Sequence, residues 1–151
     1  MRLACVTGHM ERDKTTDRII SCCFRVHKTL GAGFLEKVYE NALMIELERA
    51  GIRALQQVPI SVRYENRNVG EYFADILVED RIVCELKANQ VTSVEHEVQL
   101  VNYLVATGLE IGLLINFGRS VTIKRKFREY DPRISFSVTA QPGRLPASSG
   151  L

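Results

Sequence analysis

Ala74-Asp75-Ile76-Leu77-Val78, followed by Val83-Cys84-Glu85-Leu86-Lys87-Ala88, reads as two apolar strands joined by the short polar turn Glu79-Asp80-Arg81. Three ionisable residues, Asp75, Glu85 and Lys87, stand where buried strands are normally apolar. Burying them is costly unless they pair with each other or bind an ion. Strand side chains alternate, so Val83, Glu85 and Lys87 share one face while Ile82, Cys84 and Leu86 take the other. A three-residue loop over 79–81 would pair Val78 with Ile82 and bring Asp75 opposite Glu85. A two-residue loop would shift the register and separate the two carboxylates.

Working outward, Thr15-Thr16-Asp17 signals a helix start, and Ile19, Cys23, Val26 and Leu30 recur at helical spacing before Gly31. A second helix is expected over about 34–50, burying Leu35, Val38, Ala42 and Ile45 and ending at Gly51. Strands follow near 53–64, 69–78 and 82–89, with Asn66-Arg67-Asn68 as the first turn. Thr92 and Glu95 have the spacing of a capping box for a third helix over 93–107. On it, Val94, Val98, Val101, Leu104 and Val105 form the expected apolar set, interrupted by His96, Gln99 and Tyr103. The run Ile111–Phe117 reads as a buried strand, and Val121–Arg128 as a last one. The order is that of one α/β domain with a mixed sheet over residues 15–130. Residues 1–14 form an expected flexible lead-in and 131–151 an expected flexible tail.

The chain has 151 residues and a formal net charge of +2, so no overall basic field points to nucleic acid, and any such contact would need a local patch. The densest cluster is Lys124-Arg125-Lys126 with Arg128. Lys124, Lys126 and Arg128 are the candidate phosphate contacts, although lysines protecting an exposed edge strand would look the same. Cys5, Cys22, Cys23 and Cys84 lack zinc-like spacing and read as buried free thiols in a reducing compartment. No apolar run is long enough for a bilayer, so the expected location is the cytoplasm by default.

Two carboxylates without thiolates or paired histidines select a hard cation, Mg²⁺ or Mn²⁺. Such an ion polarises a phosphoryl oxygen and acidifies bound water. Lys87 would orient the water or neutralise phosphate charge. The bland alternative is a salt-bridged Glu–Lys pair at a sheet edge, and the flanking Val83, Cys84, Leu86 and Ala88 argue for a central strand instead.

Several longer motifs extend this pattern. They run through Val26-His27-x-x-Leu30-Gly31-x-Gly33-Phe34-Leu35-Glu36-x-Val38-Tyr39 and Val69-Gly70-Glu71-Tyr72-x-Ala74-Asp75. They continue through Glu85-Leu86-Lys87-Ala88, His96-x-x-Gln99-Leu100-x-Asn102-Tyr103-Leu104 and Gly112-Leu113-Leu114-Ile115-Asn116-Phe117-Gly118. Together they resemble the GxxExxY family, a branch of the PD-(D/E)xK nuclease-like superfamily. The resemblance implies a restriction-endonuclease-like α-β-β-β-α-β core with helices flanking a mixed central sheet. It implies a metal held by Asp75 and Glu85, a catalytic Lys87 and a supporting acid, Glu36. Gln99 and Tyr103 match the Gln-x-x-x-Tyr helix motif of the exonuclease-like branch, which places them near the metal or the DNA strand. Such proteins usually begin just before the first helix, which makes Met10 an alternative initiator.

The reading that follows is a metal-dependent nuclease, with DNA as the first expected substrate and RNA as the second. The alternative is a catalytically silent module of the same fold that grips nucleic acid or a protein partner. A homodimer through an open sheet edge or the first helix is a further possible assembly.

Overall fold

In the computed structural model, which describes residues 13–128, the first helix starts earlier than the threonines suggest. Asp13 is the N-cap: its Oδ1 accepts the Thr16 N–H at 3.0 Å, and helix α1 spans Lys14–Leu30. The same carboxylate takes two bonds from Arg81, at 2.7 and 3.1 Å, and this pairing holds it down to a pKa of about 2. Asp13 and Lys14, expected in the flexible lead-in, thus belong to the first helix and its cap. The rest of that segment and the expected tail lie outside the described residues.

Helix α2 (Glu36–Arg49) buries Tyr39, Glu40, Leu43 and Leu47. That corrects the expected face: Leu35 is 80% exposed, and Val38 and Ile45 also point outward. Apolar residues occur on both sides of this helix, so periodicity alone could not choose between them. Tyr39 decides the phase. Its ring stacks on Phe117 with centroids 4.7 Å apart, and its hydroxyl donates to the Gly31 carbonyl at 2.6 Å. The tyrosine thus ties down the loop that leads into α2. Within that loop Gly33 has φ +105°, with open space around any added Cβ, so glycine is needed for conformation and not for close approach.

Strands β1 (Ala54–Tyr64) and β2 (Arg67–Val78) form a hairpin. Its turn is the two-residue Glu65-Asn66, both at positive φ, one residue ahead of the expected position. Strand β3 (Ile82–Lys87) follows after Glu79-Asp80-Arg81, with Val78 opposite Ile82 and Ile76 opposite Cys84. The odd loop expected from face parity is present. Helix α3 (Val94–Thr107) crosses over to β4 (Ile111–Phe117), which lies parallel to β3, and β5 (Val121–Phe127) closes the edge. The sheet order is β1-β2-β3-β4-β5, and only the β3–β4 pair is parallel.

The cap of α3 is Ser93, one residue beyond Thr92, and its N–H donates to His96 Nδ1 at 3.4 Å. His96 therefore serves the helix end. Leu100, Tyr103 and Leu104 are buried, whereas the expected core residues Val94, Val98 and Val105 are exposed. Two apolar clusters sandwich the sheet. Helices α1 and α2 cover Ile76, Ile82, Cys84, Leu86, Leu113, Ile115 and Phe117. Helix α3 covers Ile60, Ala74, Val83 and Leu114. Cys22, Cys23 and Cys84 are buried free thiols, and burial raises the pKa of Cys23 and Cys84.

Candidate active site

The clusters fix where the charged side chains emerge. Val83 and Leu114 lie under α3, so Glu85 and Lys87, at the same parity as Val83, share that face. The β2–β3 ladder runs to Ile76–Cys84 and ends one step short of Asp75 and Glu85. Beyond it, Asp75 Oδ2 accepts the Leu86 N–H at 2.7 Å, which aims one carboxylate at the neighbouring strand. Glu85 is 9% exposed, and its Oε1 is buried without a hydrogen-bond partner.

Electrostatics follow from this crowding. Burial first, then the Asp75 carboxylate, pushes Glu85 up to about 8 against the opposing pull of Lys87. Asp75 is raised by burial, partly offset by the Leu86 N–H, and Glu40 raises it further. Burial also raises Glu36, at the start of α2, while Lys87 draws it back. Lys87 forms no ion pair with any described residue, although its charge is felt at all three acids. The fold thus brings Glu36, Asp75, Glu85 and Lys87 into one electrostatic neighbourhood.

Tyr103 joins them from α3. Burial, then Glu85, pushes its hydroxyl up to about 12, and its ring lies 5.2 Å from that of Tyr72. Gln99 is exposed one turn earlier and lines an adjoining groove of about 330 Å³ with Val62, Tyr72, Asn102 and Tyr103. A larger cavity, about 440 Å³, lies between α2 and β1 and holds none of these residues.

The basic candidates sit elsewhere. Lys124 and Lys126 both bind Glu97 of α3, and Arg128 donates to the Gly108 carbonyl at 2.8 Å. Arg125 turns to the other face and pairs with Asp17 of α1 at 2.6 Å.

Two residues that sequence reasoning missed support the acids. Glu40 is only 2% exposed; it accepts from Lys37 and Gln56 at 2.9 Å each and from Gln57 at 3.1 and 3.2 Å. Gln57 also reaches Asp75 Oδ1 at 3.4 Å, and it does so from φ +50° in mid-strand, opposite Asp75 where the β1–β2 ladder skips a pair. A non-glycine residue held in that region is strained and needs its surroundings to hold it. The available signal was Glu36 and Glu40 on one side of a helix, four residues apart, facing the Gln-Gln pair of β1.

The donor set is hard oxygen, two carboxylates with one unsatisfied atom, and it fits Mg²⁺ or Mn²⁺, which take one or two protein carboxylates and complete their shells with water and phosphate. No group of three or more His, Cys, Asp or Glu side chains forms a ready-made cage among the described residues. A mixed sheet with an Asp on one strand, Glu-x-Lys on the next and an acid from the preceding helix is the arrangement expected of a nuclease-type α/β domain. The family model of the PD-(D/E)XK nuclease superfamily matches residues 13–129, and the chain belongs to that superfamily. No curated protein and no solved structure matches it. No helix among the described residues is long and apolar enough to cross a membrane.

Proposed function

We propose that the chain is a metal-dependent phosphodiesterase of the GxxExxY branch, cleaving nucleic acid and DNA in preference to RNA. The observation that carries this is Glu85 Oε1, buried and unpartnered beside Asp75 with Lys87 one pleat further along. Asp75 and Glu85 would hold the ion, which supplies Lewis acidity and a more acidic bound water. Asp75 is oriented for this by the Leu86 N–H and Gln57. Lys87 would set its ammonium where negative charge grows on the phosphate, and its charge already draws down the pKa of Glu36. Tyr103 and Gln99, on the wall of the adjoining groove, would border the path of the strand.

Cleavage of single- and double-stranded DNA and RNA, with Mg²⁺ or Mn²⁺ and beside Lys87→Ala and Asp75→Ala, tests the reading. Activity that survives both substitutions sinks it. The second reading, a catalytically silent module that grips nucleic acid or a protein partner, is favoured by the apolar side chains exposed ahead of and along α2, Phe34, Leu35, Val38 and Ile45. Binding without cleavage by folded, metal-loaded protein would select it.

A further inference from the structure

The carboxyl ends of the parallel pair β3 and β4 carry a second polar feature beside Lys87, a groove of about 260 Å³. Its walls include Gln90, Thr92, Arg119, Ser120 and Thr122, with Lys124 at the rim, and no carboxylate lines it. Its floor is Asn116, which stands in register with Lys87 on one side and Thr122 on the other. Lys87 and Thr122 are two strand spacings apart, about 10 Å, which is within reach of nearby phosphates on one bound strand.

The groove is held in shape. Asn116 is 3% exposed, and its amide binds both backbone groups of Asn89, accepting from the N–H at 3.0 Å and donating to the carbonyl at 2.9 Å. This clamp fastens the β3–α3 connection over the β4–β5 turn. A Cβ on Gly118 would stand 2.9 Å from the Asn89 carbonyl oxygen, so only glycine lets the two loops close. His27 Nε2, 2.9 Å from the Gly118 carbonyl oxygen, anchors the turn to α1.

Arg119 sets the chemistry. It is exposed and forms no ion pair or side-chain hydrogen bond with any described residue, whereas Lys124, Lys126 and Arg125 are already matched by acids. A free guanidinium among hydroxyl and amide donors, without competing carboxylates, suits an oxyanion with several acceptor oxygens. We infer that this groove is a phosphate-backbone subsite, taking a phosphodiester of the bound strand a few nucleotides from the one at Lys87. The inference rests on the nuclease reading, and it moves the principal phosphate contact from the Lys124–Lys126 ridge to Arg119.

The test is equilibrium binding of the full chain to labelled single- and double-stranded oligonucleotides, with metal chelated, across a salt series. Arg119→Gln is expected to weaken binding roughly tenfold and to flatten the log-affinity against log-salt slope by about 0.7–0.9. Arg49→Gln, the same charge change on α2, should alter neither. Gly118→Ala, which wedges the clamp, should weaken binding while Arg119 remains. Unchanged affinity and slope in Arg119→Gln overturn the subsite, as does the absence of measurable binding by the wild type. Saturable binding of inorganic phosphate that Arg119→Gln abolishes, with oligonucleotide affinity intact, overturns it in favour of a free-anion site. Arg119-dependent binding without metal-dependent cleavage would instead remove the nuclease reading and leave the groove standing.

Discussion

Strands β3 and β5 both present ionisable side chains to the α3 face of the sheet, and they treat them in opposite ways. On β5, Lys124 and Lys126 converge on Glu97, and that contact lowers the Glu97 pKa, Lys124 acting most strongly. On β3, Glu85 keeps an unpartnered buried oxygen beside a second acid, and Lys87 has no ion pair among the described residues. Matched charge is what a solvated sheet edge needs. Charge held buried and unmatched costs stability, and a fold retains it where something else is to complete it. On the proposed reading, the contrast separates a structural use of charge from a functional one within a single sheet.

The largest expected effect falls on β3. Lys87→Ala and Asp75→Ala should each lower metal-dependent cleavage by at least about 10²-fold, the usual loss when a positioned electrostatic group is removed. Lys126→Gln, on the α3 face of β5, should leave turnover on saturating substrate unchanged. A comparable loss in Lys126→Gln would erase the distinction between the strands. Thermal unfolding with and without Mg²⁺ gives a second readout, because the wild type should be stabilised by the ion and Asp75→Ala should not.

Next is the pH dependence of the metal-free protein. The pKa of Glu85 is pushed up to about 8 from an unfolded value of 4.5, so between those limits the unfolded state has released a proton that the folded state keeps. Stability must therefore fall as pH rises through that window, by an amount on the order of a few kcal/mol. The raised pKa values of Asp75 and Glu36 act in the same direction. Glu85→Gln should flatten much of this slope and be the more stable protein at pH 8, while losing cleavage. If urea unfolding in chelator shows wild type and variant running parallel from pH 5 to 8, Glu85 is not the unmatched charge described here.

How far this site was legible in the sequence depends on which interaction carried each part. Face parity along β3 and the odd loop after Val78 are local properties of alternating strands, so they could be read directly. The phase of α2 could not, because Leu35, Val38 and Ile45 compete with Tyr39, Leu43 and Leu47, and only the stacking of Tyr39 on Phe117 decides between them. Glu40 was hidden for a related reason: a buried carboxylate is tolerated only when donors arrive from another element, here Gln56 and Gln57. Asn116 did leave a trace, one amide in an otherwise apolar run, but its partner Asn89 lies across a parallel pair.

Gln57 sharpens the comparison at a middle scale. Gln57→Ala keeps the left-handed backbone and loses the amide that serves Glu40 and Asp75, so a destabilisation of about 2–3 kcal/mol is expected. Gln57→Gly loses the same bonds without the conformational strain. Left-handed alanine costs about 1–2 kcal/mol and glycine's extra unfolded freedom returns about 0.5–1, so the glycine variant should be milder by about 0.5–1 kcal/mol. Equal losses would place the support in the hydrogen bonds alone.

The smallest effect tests the structural half of the contrast. Glu97→Gln removes the acid shared by Lys124 and Lys126 and leaves both cations on β5 unmatched. If matching is what keeps that ridge from acting as a phosphate contact, the variant should bind oligonucleotide more tightly at low salt, with a log–log salt slope steeper by about 1–2. Metal-dependent turnover on saturating substrate should stay as it is, because neither lysine is among the groups whose charge is felt at Asp75 or Glu85. An unchanged salt slope would mean that the two lysines already reach the strand despite Glu97. The ridge would then count with Lys87 and Arg119 as part of the nucleic-acid face, and β5 would no longer stand as the structural counterpart of β3.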